Sequence, residues 1–346
     1  MKAAVIYGTG DIRYAEIEDP KCGAEDVIIQ VSACGICGSD SPRILKDWKY
    51  PVPGVPGHEF AGKIVEVGKN IQGFSLGEAV VAQPLIPCKQ CLHCKSGFYS
   101  VCDDITMIGA DIPGGYAEYV KVPASNVLKV GDINLQQAAL IEPCAVALYG
   151  VLGIEPKMGD TVAILGMGTI GQLVLQWCKI YGVRRVIAVD ISEKKLAEAK
   201  ALGADYCING LKSDVEKEIL ELTNGLGADI AMETAGSKIT QEQCLLVTKK
   251  RGKVGYLGIA RTDILLKEKS FESIFRHELT LKGFWNSYAA PFPGAAWEKS
   301  INYIQDNRID LEKLISHRFP LKDVKDVFTM IQNRSEEYNK ILLVVE

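Results

Sequence analysis

Short apolar runs separated by Gly and Pro mark the first 145 residues: positions 3–7, 27–32, 62–67, 79–82 and 116–122 have the length and β-branched content of strands. The pattern predicts an all-β, barrel-like domain. Positions 51–57 carry three prolines, which fix φ and remove donors, so they predict a stiff loop rather than a helix. From about residue 150 the period changes. An apolar strand at 161–165 is followed by a helical stretch to about residue 181 and a strand at 185–189. The alternation continues with helices at 191–203, 214–223 and 239–247 and strands at 206–209, 229–233, 253–258 and 279–284. Strand and helix in turn predict a doubly wound parallel sheet, which puts the chain in the α/β class. After a loop of aromatic and proline residues at 285–293, helical patterns at 296–306 and 321–333 lead to a terminal strand at 340–345.

A chain of 346 residues is too long for one comfortable core, which agrees with the change of period and predicts two domains. With 47% apolar and 24% charged residues the composition is that of a globular protein, and a net charge of -4 gives no footprint for nucleic acid or an anionic membrane. No continuous apolar run reaches about eighteen residues, and positions 1–7 read as a strand rather than a leader. The expectation is therefore a cytoplasmic protein with neither nucleic-acid nor membrane partners. The basic run Lys249-Lys250-Arg251 reads as cations closing a helix, where they favour its dipole, rather than as an anion patch.

The eleven cysteines are odd in number and four stand at metal spacing, which fits a reducing compartment better than a disulfide framework. Cys88-x2-Cys91-x2-Cys94-x7-Cys102, in a lobe at 86–104, has the spacing of a closed tetrahedral zinc site. Four thiolates leave no open position, so this site is structural, and His93 inside the lobe is left as a surface residue. A second set is more dispersed. Cys37, His58 beside Glu59, and Glu142 combine soft, borderline and hard ligand types from three separated segments, a mix that suits zinc. The third signal is Gly166-Met167-Gly168-Thr169-Ile170-Gly171 between a strand and a helix, with Asp190 nineteen residues after the last glycine. There a backbone can approach a pyrophosphate at a helix N-terminus while Asp190 accepts from a ribose hydroxyl, and its charge disfavours a 2′-phosphate, so NAD is expected before NADP.

The run Gly57-His58-Glu59-x2-Gly62-x5-Gly68-x2-Ile71, with Cys37-Gly38-Ser39-Asp40 upstream, resembles the zinc signature of the medium-chain alcohol and polyol dehydrogenases, and the similarity extends over essentially the whole chain. That resemblance implies a GroES-like β-barrel catalytic domain over residues 1–148 and 286–346 and a Rossmann domain over 149–285. It implies two zinc ions per chain. The catalytic one would be held by Cys37 and His58, with Glu59 and Glu142 binding directly or through water, and Ser39 would take the substrate proton. Pro42 stands where simple alcohol dehydrogenases continue the proton relay with a histidine, so the proton must leave by water or another group.

The resemblance further implies oxidation of a secondary alcohol with hydride transfer to NAD. The segments 37–44, 97–102 and 141–143, with Trp285-Asn286-Ser287-Tyr288, look like the branch that acts on polyol phosphates such as galactitol 1-phosphate; free sorbitol or L-iditol is the alternative. Arg43 is the candidate for a substrate phosphate and Asn286 a second substrate residue. Retention of every ligand argues against a zinc-free quinone reductase and against a nucleotide-binding protein without turnover. A homodimer or homotetramer through the edge strand 279–284 is expected.

Overall fold

The computed structural model describes residues 1–345. It divides into two compact units, residues 1–142 with 288 onward, and residues 143–287. The division falls at the start of the helix Ile141–Ile154, within which the expected boundary at residue 148 also lies.

The first unit is built on the strand Asp26–Gly35, which pairs antiparallel with Glu59–Val67 along its length, with Tyr119–Pro123 over its first half and with Lys340–Val344 at its end. Ala79–Ala82 and Val127–Lys129 extend this seven-stranded sheet on one side and Ile315–Pro320 on the other. Ile29, Phe60 and Ile64 are buried in one core cluster that also takes in Val324, Val327 and Phe328 of the helix Val324–Asn333. Each such side chain contributes roughly 1.5–3 kcal/mol. The expected strands at 27–32 and 62–67 both prove longer at one end, reaching Gly35 and starting at Glu59. These extensions matter, because Gly35 is the register partner of Glu59. Antiparallel pairing therefore brings the residues just after the first strand opposite those just before the second. The terminal strand adds its own beginning, since Leu342 pairs with Gly35.

The second unit is a parallel six-stranded sheet in the order Tyr206–Asn209, Arg185–Asp190, Thr161–Leu165, Ala228–Glu233, Thr248–Tyr256, Thr280–Gly283. Residues 162–165 and 186–188 are completely buried, as both faces of a doubly wound sheet require. Chain order reverses between Thr161–Leu165 and Ala228–Glu233, the place where ligands bind in such sheets. Ser192, Asp214 and Ser237 cap three helices, accepting from the backbone amides of Lys195, Lys217 and Ile239, so two of them begin one or two residues inside the expected ranges and the third begins one residue earlier, at Lys238.

Two expectations are corrected. Lys249, Lys250 and Arg251 do not close a helix; they lie within the strand Thr248–Tyr256, where Lys249 pairs with Asp229 and a register shift sets Arg251 at φ 59°. The helix Glu268–Arg276 is a second difference, since the sequence pattern does not announce it. Its inward side chains are Ser270 and Ser273, which donate to Glu242 Oε1 (2.7 Å) and the Leu245 carbonyl (3.2 Å), while Phe271 and Phe275 face outward, 59% and 58% exposed. Among the described residues no helix is long and apolar enough to cross a membrane.

Candidate metal centres and dinucleotide site

Cys37, His58 and Glu59 bring their donor atoms within 4.8 Å of one another, as the strand register dictates. Two glycines make the approach possible. Gly57 turns at φ 98°, where any side chain would strike the Tyr116 ring, and a side chain on Gly35 would occupy the space of the Glu59 carboxylate. Asp40, in the first turn of the short helix Asp40–Lys46, ties the ligands together: its Oδ2 accepts from the Cys37 amide (3.0 Å) and the Tyr116 hydroxyl (2.8 Å), and its Oδ1 lies 3.5 Å from His58 Nδ1. Asp40 thus sets a carboxylate beside the imidazole at ion-pair distance, without a hydrogen bond to Nδ1. Ser39 makes no cap to the helix; its Oγ donates to Cys37 Sγ at 3.2 Å.

Glu59 is 1% exposed and its Oε2 accepts from Lys340 Nζ at 2.6 Å, while the same ammonium donates to the Ile36 carbonyl at 3.0 Å. Removing one partner of a buried pair of this kind costs about 3–5 kcal/mol. Burial works to lower the Lys340 pKa, but the charges of Glu59 and Cys37 outweigh it and the pKa is raised. Glu142 is buried in the first turn of its helix but is not part of the three-residue cluster.

The donor set fits a zinc ion. Burial, with the nearby Glu59 and Asp40 carboxylates, pushes the Cys37 thiol up to about 12, and burial against Glu59 and Cys37 raises Glu142 to about 8 despite the opposing influence of His58. Thiol and carboxyl ligands give up their protons to solvent when a divalent cation displaces them, and His58 Nδ1 is a buried nitrogen without a hydrogen-bond partner. Cys34 and Cys144 are buried thiols outside the cluster.

Cys88, Cys91, Cys94 and Cys102 form the second cluster, again within 4.8 Å. The Cys88–Cys94 and Cys91–Cys102 sulfurs are 4.0 Å apart. Thiolates about 2.3 Å from a tetrahedral centre stand roughly 3.8 Å apart, so this spacing is that of a closed zinc site and not of disulfides. The amides of Cys91 and Cys94 donate to the sulfurs of Cys88 and Cys91, each at 3.4 Å. His93 stays outside, 3.7 Å from Asp103.

In the second unit, Gly166 holds φ 109° against Ala235, and Gly168 caps the helix Thr169–Ile180 with open space where its side chain would be. That is room for a pyrophosphate at a helix N-terminus. Asp190, at the end of its strand, accepts from the amides of Met167 (2.6 Å), Ile191 (2.8 Å) and Ser192 (2.9 Å) and so is fixed beside the fingerprint. Arg185 is drawn away, donating to the Leu222 carbonyl and lying over the Tyr206 ring.

Residues 23–132 match the alcohol dehydrogenase GroES-like domain and residues 169–302 the zinc-binding dehydrogenase domain. The chain is 35% identical to galactitol 1-phosphate 5-dehydrogenase of Escherichia coli K12, covering 92% of both chains. It belongs to the zinc-dependent medium-chain alcohol and polyol dehydrogenase family. Sorbitol dehydrogenase of Bacillus subtilis is 29% identical, over 99% of this chain and 97% of that one. The crystal structure of the Escherichia coli galactitol-1-phosphate dehydrogenase superposes with a TM-score of 0.94 at 33% identity, covering 99% of this chain and all of the other. Two further similar structures carry cofactor. A zinc-binding dehydrogenase of Sinorhizobium meliloti is bound to NADP (TM-score 0.91, 29% identity, 99% and 98% covered), and a protein described as a short chain alcohol dehydrogenase of Escherichia coli CFT073 is complexed with NADH (TM-score 0.90, 28% identity, 99% of each covered). This dehydrogenase therefore has zinc and a nicotinamide dinucleotide as its cofactors.

Arg43 lies one turn along the helix that starts at Asp40, half-buried, with Nη1 3.8 Å from Met107 Sδ and its guanidinium 6.0 Å from the Tyr50 ring centre. Lys46 is exposed and Lys49 pairs with Asp47 in the following loop, so the three cations do not act as one face. Asn286 belongs to the second unit and holds φ 52°. Asp40, Tyr116 and Lys340 are site residues that sequence reasoning did not single out. Asp40 was within reach, three positions after a ligand. Nothing marks Tyr116 in its loop or the lysine that opens an apolar terminal strand.

Proposed function

We propose that this dehydrogenase oxidises a secondary carbinol of a polyol phosphate, galactitol 1-phosphate before free sorbitol, with NAD as the acceptor. When bound, zinc supplies Lewis-acid polarisation of the carbinol oxygen and the nicotinamide supplies the hydride acceptor. Cys37, His58 and Glu59 would hold the metal, and Glu142 would serve as the exchangeable or water-linked carboxylate. Ser39, whose hydroxyl is anchored on the Cys37 sulfur, receives the carbinol proton and passes it to water, since Pro42 has no proton to relay.

The observation that carries the phosphate reading is Arg43. Among the described residues it has no carboxylate partner, and its guanidinium, six positions from Cys37, can meet a phosphate with two parallel charge-assisted bonds that a free polyol cannot form. Similarity to the galactitol 1-phosphate enzyme supports the same choice. The sorbitol reading is supported by the likeness to the Bacillus enzyme. NAD is preferred to NADP because the fixed Asp190 carboxylate repels a 2′-phosphate, and Arg185 starts the strand that Asp190 ends, roughly 17 Å away. Asn286 is kept as a second substrate residue.

One experiment tests both choices: kcat/KM for galactitol 1-phosphate and sorbitol, each with NAD and NADP, in the wild type and in Arg43→Ala. The expected result is a preference for the phosphate and for NAD, with Arg43→Ala lowering kcat/KM for the phosphate roughly 10- to 100-fold and leaving sorbitol within about threefold. Better turnover of sorbitol, or equal losses on both substrates, removes the phosphate role. A second copy of the chain is the proposed cover for the edge strand Thr280–Gly283, all four residues of which are exposed, and for the outward Phe271 and Phe275. Light scattering at micromolar concentration checks this, and a monomer mass defeats it.

A further inference from the structure

We propose that Lys340, on the last strand of the chain, is the positioning residue of the Cys37–His58–Glu59 cluster: it clamps Glu59 to the segment that carries Cys37 and leaves one oxygen of Glu59 for the metal. The inference rests on reading that cluster as the zinc site and is independent of the substrate. Lys340 is 3% exposed and uses two of its three protons on two targets, Glu59 Oε2 at 2.6 Å and the Ile36 carbonyl at 3.0 Å. Ile36 is the residue before Cys37. One ammonium thus spans the two strand ends from which separate ligands emerge, and it reaches them because Leu342 is registered on Gly35 and Gly35 on Glu59. With Oε2 taken by Lys340, Glu59 would have Oε1 left to offer a metal.

The charge balance asks for such a cation. Cys37 and Glu59 gather their donor atoms with His58, and the Asp40 carboxylate lies 3.5 Å from that imidazole, so acidic groups crowd one small volume in which Lys340 is the cation paired to Glu59. Lys340 neutralises Glu59 without competing for the metal, because an ammonium has no lone pair to donate. It also stops the carboxylate from swinging both oxygens onto the ion.

The test measures zinc affinity of the full-length protein by chelator competition, together with the visible spectrum of the cobalt-substituted site, in a double-mutant cycle of Lys340→Met and Glu59→Gln. Lys340→Met is expected to weaken the catalytic zinc by about 10- to 100-fold and to shift the cobalt bands, with the four-cysteine zinc retained. Lys340→Arg, which keeps charge and donors, restores most of the affinity. On the Glu59→Gln background, Lys340→Met changes zinc affinity by less than about twofold, because the residue acts through Glu59. Should Lys340→Met fail to fold, Lys340→Gln takes its place in the same cycle. Unchanged zinc affinity and cobalt spectrum in the single variant, or the same loss on both backgrounds, overturns the role of Lys340. A wild-type protein that binds zinc only at the four cysteines overturns the site reading itself, an outcome seen before any variant is compared.

Discussion

The four-cysteine lobe takes all its ligands from residues 88–102, whereas the Cys37 cluster is assembled from strand ends far apart in the chain, and the two differ in what would hold them without an ion. In the lobe, Leu92, Phe98 and Val101 are 74%, 59% and 51% exposed, so little apolar burial opposes the entropy of ordering it. Its sulfurs already collect backbone amides, and the metal completes the fold. The Cys37 cluster stands on a sheet packed around Ile29, Phe60 and Ile64, with Asp40, Tyr116 and Lys340 holding the ligands from behind. Here the fold prepares the site. On the function proposed above, the same metal is a structural element in one place and a reagent in the other.

The sharpest way to break the comparison is Cys91→Ser. Because the lobe depends on its ion, loss of one thiolate should cost several kcal/mol, roughly 10 °C or more in Tm, with one zinc lost and fast amide exchange over residues 88–102. Calorimetry and hydrogen exchange check this; a variant that melts like the wild type shows that the lobe folds without its metal. His58→Ala should behave in the opposite way. Its Tm is expected to stay within a few degrees, since the sheet remains, while kcat/KM falls at least about 100-fold and one zinc disappears from elemental analysis. Loss of folding in His58→Ala would mean that the second cluster, too, is structural.

What could be read from the sequence follows the same division. The four cysteines and the glycine fingerprint are local patterns, and their geometry follows from a few consecutive residues. Cys37, His58 and Glu59 were legible as ligand types through the family's motif, but their meeting point depends on the Gly35–Glu59 register, which no local period specifies. The Lys340–Glu59 pair spans 281 positions and was invisible for that reason. The helix Glu268–Arg276 escaped for a different one. Its serines face in and its phenylalanines out, the reverse of the rule that places apolar residues in the core, and the proposed contact with a second copy is what would make that inversion sensible. Lys249 to Arg251 were misplaced by a shift of one element, because the strand begins directly at Thr248 where the helix ends.

The smallest expected effect probes how far behind the ligands the preparation of the Cys37 cluster extends. Tyr116 is fully buried, and burial, reinforced by the Asp40 charge, holds its phenol well above the usual range, so Oη remains a donor. Its hydroxyl gives Asp40 Oδ2 a 2.8 Å bond, while the same oxygen accepts from the Cys37 amide. Tyr116→Phe keeps the ring that packs on Gly57 and removes only this donor. A buried bond to a carboxylate contributes about 1.5–3 kcal/mol, part of which Asp40 retains through its remaining contacts. The affinity of the catalytic zinc should therefore fall by roughly tenfold or less, while the four-cysteine zinc is unchanged. Chelator competition resolves the two sites, because their ligand chemistry differs. If both zincs weaken together, Tyr116 acts through the stability of the whole unit; if only the Cys37 site weakens, the support of that site reaches from Cys37 and His58 through Asp40 into the core.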